Sequence, residues 1–190
     1  MRVLLFLLIA WAAFPCEVEN LFNGTDTSGW KMSGSGRFVV EDGSLKPEGG
    51  PGLLCFAQRQ FANGVIRVEF RPTDGNSRAA VAVRMTERGT GGYRIQIGAG
   101  DPWHCTGAIE GHSRAASCPS LQSGEWHKMT IALLANETGV YVDGQKVNEY
   151  IGDPQAPYPG GWGRSSVGLE NDGPGSEVYF RSFTFVNNFH

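Results

Sequence analysis

Apolar and polar residues alternate with a period of two over much of the chain, the spacing that turns one side of an extended strand to a core and the other to solvent. The pattern is plain at 38–41, 65–71, 79–84 and 93–98, and again at 128–134, 140–143, 145–150, 166–170 and 177–185. Asp42-Gly43 leads from the first of these runs into Ser44-Leu45, and Asp143-Gly144 joins two later ones. A two-residue Asp-Gly step between alternating runs is a tight-hairpin signal. The 27 glycines and 10 prolines are spread along the chain and interrupt every candidate helix. About nine or ten strands without crossover helices predict antiparallel pairing in two packed sheets, which close each other's apolar faces. The expected fold is therefore all-β, a two-sheet antiparallel jelly-roll sandwich.

Alternation also sorts side chains by face. Val81 and Val83 point one way and Arg84 the other; Tyr93, Ile95 and Ile97 oppose Arg94 and Gln96; Val167 and Leu169 oppose Ser166 and Glu170. Placed on neighbouring strands, Arg84, Arg94, Gln96 and Glu170 line one groove, with donors for sugar hydroxyls and a carboxylate able to move a proton. An ordinary solvated sheet face carrying an Arg–Glu ion pair has the same composition, and the pattern leaves both readings open. Between the strands, the run 101–112 gathers Trp103, a stacking candidate, with His104, His112, Asp101 and Glu110. The stretch 152–164, rich in Pro, Gly and aromatics, is long for a hairpin connection, and such loops tend to be functional or flexible.

The beginning of the chain changes the compartment. Arg2 is followed by an unbroken apolar run over 3–13 that ends in small residues, the form of a signal peptide occupying residues 1–15 with cleavage near 12–15. That run is about half the roughly 20 residues a bilayer span requires, so a stable membrane anchor is not expected. Export to an oxidising space makes pairing the default for Cys16, Cys55, Cys105 and Cys118. Cys105 with Cys118 is the first pairing expected; Cys16 with Cys55 is the second, with Cys16 at the leader's edge. His104, Cys105, His112 and Cys118 are also zinc-ligand types, but no close Cys-x-x-Cys pair accompanies them and thiols pair in such a compartment, so no metal site is expected. What remains after the leader, 16–190, is long enough for one sizeable core and short for two. A net charge of −3 with no basic cluster gives no footprint for nucleic acid. Neither a Gly-x-Ser-x-Gly elbow nor a phosphate-binding glycine loop is present, and the sequence specifies no cofactor and no oligomeric state. Asn23-Gly-Thr and Asn136-Glu-Thr match the glycosylation acceptor pattern, which matters only in a eukaryote.

A family resemblance spans the chain from about Leu21 to Phe185. It is carried by Leu21-Phe22-Asn23-Gly24 with Ser28-Gly29-Trp30, Val40-Glu41-Asp42-Gly43-Ser44-Leu45, and Val68-Glu69-Phe70-Arg71 followed by Gly75-Asn76-Ser77. It continues through Tyr93-Arg94-Ile95-Gln96-Ile97, Thr106-Gly107-Ala108-Ile109, Gly124-Glu125-Trp126, Val142-Asp143-Gly144, and Gly168-Leu169 ahead of Phe180-Arg181. In order and spacing these resemble the 3-keto-disaccharide hydrolase domain, formerly a domain of unknown function. The resemblance implies a concanavalin-A-like (LamG-like) jelly roll and, for some members, hydrolysis or elimination at glycosides oxidised at C3. The 3-keto group acidifies the C2 hydrogen, so a base can remove it and the C1 substituent can leave. This chain has Arg94 where the family commonly has Glu, Glu110 where an aromatic is usual, and Glu170 where Gln is usual. The expected function is that of a secreted carbohydrate-active protein, a glycoside hydrolase or lyase acting on 3-keto-glycosides; the alternative is a non-catalytic glycan-binding module. The expected catalytic set is Glu170 or Glu110 as base with Arg94 as oxyanion partner. Arg84, Gln96, Trp103, His104 and Asn76 are the expected sugar-binding residues, and an oligosaccharide or glycoside is the expected partner.

Overall fold

The structure, a computed structural model, describes residues 17–153 and 163–187. The leader, Cys16 with its pairing, and most of the stretch 152–164 lie outside the described residues. The described chain forms thirteen strands: β1 (Glu17–Asn20), β2 (Trp30–Gly34), β3 (Arg37–Glu41), β4 (Ser44–Glu48), β5 (Gly52–Phe56), β6 (Gly64–Pro72), β7 (Ala79–Met85), β8 (Tyr93–Ile97), β9 (His127–Leu134), β10 (Glu137–Val142), β11 (Gln145–Ile151), β12 (Ser166–Asn171) and β13 (Val178–Asn187). No helix of the described residues is long and apolar enough to cross a membrane.

Two antiparallel sheets result. The larger runs β11-β10-β9-β6-β13-β4-β3, with β1 added alongside β13; the smaller runs β2-β5-β12-β7-β8. Their apolar faces meet in one core. Ile66, Val68 and Phe70 of β6, Met129, Ile131 and Leu133 of β9, and Val178, Phe180, Phe183 and Phe185 of β13 come from the large sheet. Leu54, Phe56, Val81, Val83, Ile95, Ile97, Val167 and Leu169 face them from the small one. Trp30 packs edge-on against Phe56 and Phe183, with centroids at 5.1 and 5.4 Å, and its indole N–H donates to the Leu21 carbonyl at 2.8 Å. The hydrogen bond satisfies the one polar atom that burying the ring would otherwise strand. Both Asp-Gly steps make the expected hairpins: Asp42 and Gly43 have φ of 48° and 72°, Asp143 and Gly144 48° and 81°. Two successive positive φ values are what a type I′ turn needs to match strand twist.

One local irregularity relocates a residue. Ser166 pairs with Met85 and Gly168 with Ala82, so Val83 and Arg84 together oppose Val167 in a β-bulge, with Arg84 at φ 57°. A bulge breaks the alternation and re-aims the side chains that follow. Arg84 is thereby fully buried. Its guanidinium donates to the carbonyl of Ala135 at 2.9 Å, to that of Gly163 at 3.4 Å and to the Asn63 side-chain oxygen at 3.4 Å. The expectation that Arg84 lines the groove is corrected: it ties β7 to the turns at one end of the large sheet.

Candidate functional site

The outer face of the small sheet carries a cleft of about 310 Å³ lined by Arg78, Gln96, His104, Glu110, Glu170 and Asp172, with Ala79, Ala80 and Ile97 as the rest of the lining. Strand register explains the gathering. Glu170 pairs with Ala80, and Ala80 with Gln96, so one row across the sheet reads Glu170, Ala80, Gln96. The next reads Gly168, Ala82, Arg94. The middle strand thus contributes only methyl groups, and its long-armed neighbours close over them. Glycine at 168 is required by packing, since a Cβ there would stand 2.7 Å from the Leu54 carbonyl oxygen and 3.0 Å from Met85 Cε.

Beyond β8, residues 107–110 pair with the exposed edge. Gly107 N donates to Gln96 O at 2.9 Å, Gln96 N to Ala108 O at 2.9 Å, and Glu110 N to Arg94 O at 3.0 Å. That pairing sets Glu110 beside Arg94 on the outer face while Ile109 enters the core with Ile95. The segment is held by the expected disulfide: Cys105 and Cys118 are joined, with Cα atoms 5.6 Å apart, over a small buried cluster of Cys105, Ala108 and Ala115. Among the described residues Cys55 is a free, buried thiol. Burial raises its pKa, and a Ser166 hydrogen bond and the nearby Arg94 charge oppose the shift.

Charge within the cleft is organised around Arg94. Its Nε donates to Glu170 and its Nη1 to the Gly91 carbonyl at 2.8 Å. Asp172 follows β12 with the same parity as Glu170 and so reaches the same face. Its carboxyl is raised above the usual range, first by partial withdrawal from water and then by the Glu170 carboxylate, with Arg78 opposing. Arg78 lies across Gly98, whose absent side chain leaves it room: a Cβ would meet Arg78 Cγ at 3.3 Å. His104 sits on the rim with Nδ1 3.0 Å from both oxygens of Asp101. That bond, seconded by the Trp103 backbone N–H, lowers the Asp101 pKa.

The structure therefore brings Gln96, His104, Glu110, Glu170 and, through its ion pair, Arg94 to one place. Trp103 stands outside the cleft lining at the loop tip, 49% exposed. Asn76 is exposed in the turn before β7, where its backbone N–H donates to Asp74. Arg84 is inside the sandwich. Face reading missed Arg78 and Asp172, which lie just outside β7 and β12, although extending each alternation by one step finds both.

The chain is thus a jelly-roll sandwich with a polar cleft on the outer face of its smaller sheet. The chain belongs to the 3-keto-alpha-glucoside-1,2-lyase-like domain family, whose model matches residues 17–186. Among solved structures it is similar to a candidate glycosyl hydrolase from Parabacteroides distasonis, at 21% identity over 89% of this chain and 98% of that one, TM-score 0.71. It is also similar to the carbohydrate-binding module CBM66 from Bacillus subtilis, at 14% identity over 84% and 96%, TM-score 0.59. The β-glucanase of Bacillus licheniformis shares the fold at 13% identity over 93% and 100%, TM-score 0.61. None of the curated proteins matches the sequence.

Proposed function

We propose that this is an exported carbohydrate-active protein that eliminates the C1 substituent of 3-keto-glycosides in the cleft between β12 and residues 107–110. The observation that carries the reading is the convergence of Arg78, Gln96, Glu110, Glu170 and Asp172 on one hollow floored by alanine. A sugar laid on that floor meets donors and carboxylates at once. Export is supported by the leader-like start of the sequence and by the Cys105–Cys118 disulfide.

The chemistry needs a base for the C2 hydrogen. Glu170 is engaged by Arg94, and Glu110 stands on the opposite wall. Asp172 is the base best matched to the task, because a carboxyl held above its usual range binds a proton more tightly. The proton passes from C2 to Asp172, the C–H electron pair becomes an enolate on the C3 oxygen, and its collapse forms the C1–C2 double bond as the C1–O bond breaks. The proton on Asp172 is then available to the departing oxygen. Arg78 and Gln96 supply N–H donors to the enolate and to ring hydroxyls.

The test is turnover of a 3-keto-glucoside by Asp172→Asn, Glu110→Gln and Glu170→Gln variants whose folding is verified. Loss of the base should cost about 100-fold or more in kcat with binding largely kept. Parent-like turnover by Asp172→Asn overturns that assignment and passes the role to whichever carboxylate variant is inactive. Binding of glycans by the parent with no conversion establishes instead a non-catalytic module, a reading favoured by the Arg94–Glu170 pair, which satisfies both charges without reaction, and by the exposed Trp103.

A further inference from the structure

A second hollow, of about 460 Å³, opens on the other part of the same sheet. Its lining includes Lys31, Arg59, Arg88 and Arg164, with Gln58 and Gln60 amides and a single acid, Glu87. Register ties it to the first cleft: Lys31 pairs with Cys55, Cys55 with Gly168, Gly168 with Ala82 and Ala82 with Arg94, one continuous row across all five strands. The β7–β8 turn, which supplies Glu87 and Arg88 to this hollow, reaches back over the sheet as far as Leu53 of β5. Gly89 there is buried, so close to Leu53 that a Cβ would lie 2.9 Å from its Cδ2.

The charges are unbalanced in an unusual way. Arg59 is paired with Glu19, but Lys31, Arg88 and Arg164 form no ion pair with a carboxylate among the described residues. All three are exposed. In a chain of net charge −3, three uncompensated cations facing one cavity are a local reversal of sign. Like charges gathered on one hollow raise its local potential, and an anion that shares the space is drawn to it. Guanidinium forks match planar oxyanions two bonds at a time, and the glutamine amides suit neighbouring hydroxyls.

We propose that this hollow is a subsite for a sugar-borne oxyanion, a hexuronate carboxylate or a sulfate ester, so that the ligand of the small sheet is an acidic glycan. Strands β2 to β8 span about 19 Å at the usual spacing of about 4.8 Å per strand, so the row accommodates more than one sugar residue. The assignment is read by binding alone and does not depend on the elimination reading; a protein that never turns over a 3-keto-glycoside still tests it.

The experiment is calorimetric titration of the whole protein with tetragalacturonate, with a sulfated galactan tetrasaccharide, with neutral galactotetraose and with a short DNA duplex. Expected are binding of one or both acidic sugars above the neutral one, weakening with salt as the Debye length shrinks from about 10 Å at 0.1 M, and a loss of about tenfold or more in the R88E/R164E double variant. Lys31→Gln gives a second, milder loss that does not rely on charge reversal. Preference between the two acidic sugars assigns the anion. Equal binding of neutral and acidic sugars, equal or tighter binding of DNA, no binding of any probe, or unchanged affinity in both folded variants overturns the proposal.

Discussion

Two charges, Arg84 buried in the sandwich and Asp172 at the exposed edge of the cleft, show how a single side chain is committed. Arg84 lies inside the sandwich, where burial lowers its pKa but leaves it ionised at any working pH. Its donors hold the Ala135 carbonyl and Asn63, whose side-chain oxygen also accepts from Ala135 N at 2.8 Å. Arg84→Ala removes the partner of part-buried acceptors, opens a cavity and keeps the strained φ, a combination expected to cost about 2–4 kcal/mol. The melting temperature should fall by roughly 5–15 °C at about 2–4 °C per kcal/mol, while glycan affinity holds. An unchanged melting temperature, or affinity lost in a folded variant, contradicts this placement. Asp172 behaves oppositely. Its folded pKa is raised, so its contribution to stability is present at low pH and is lost as pH rises through the folded value. Activity has the reverse sign, because the base must be ionised. The acid limb of kcat/KM should therefore lie above the ordinary aspartate range and vanish in Asp172→Asn; a limb that stays in place means another group titrates.

At the level of elements, the strands legible in the sequence are those with one dry and one wet face, such as β6, β8, β9 and β13, and the hairpins marked by Asp-Gly. The strands β1, β2 and β5 carry no such mark. β5 is a continuous Gly-Leu-Leu-Cys-Phe run because both of its faces are covered: Leu54 and Phe56 by the core, Cys55 by the cluster with Ala82 and Met85. β1 is polar and exists through its pairing with β13. The bulge at Val83-Arg84 has no local signature either, so a strict period of two misplaced one site residue while placing Gln96 and Glu170 correctly on the open face. The 107–110 segment depends on a different device. The disulfide closes a 14-residue loop, worth about 3 kcal/mol by the loop-entropy account. Since this loop supplies Glu110 to the cleft and only Ile109 to the main core, a C105S/C118S variant should keep the sandwich. Its far-UV circular dichroism should match the parent, with faster proteolysis between 99 and 126 and weaker sugar binding. Global unfolding, or loop protection equal to the parent's, contradicts that division of labour.

At the scale of the whole molecule, the sandwich closes through its last strand. β13 pairs with β6 along most of its length, with β4 at Phe180–Leu45, and with β1 through residues 184–187. It lies in the middle of the large sheet and delivers Val178, Phe180, Phe183, Phe185 and Val186 to the core. Without it β6 and β4 have no common neighbour, and the face that covers the floor of the cleft from behind loses its centre. Closing such sequence-distant pairs makes folding slow, on the millisecond-to-second scale of β-sandwiches. A chain ending at residue 176 is expected to stay unfolded, with no cooperative thermal transition and rapid digestion. Removal of residues 1–20 is the informative contrast, since β1 contributes no buried residue, only its edge pairing with the end of β13 and the Glu19–Arg59 ion pair. That variant should fold, melt at a lower temperature and keep glycan affinity, because Lys31 and the whole small sheet remain. A folded chain lacking β13, or an unfolded one lacking only β1, would show that the large sheet is organised around some other strand.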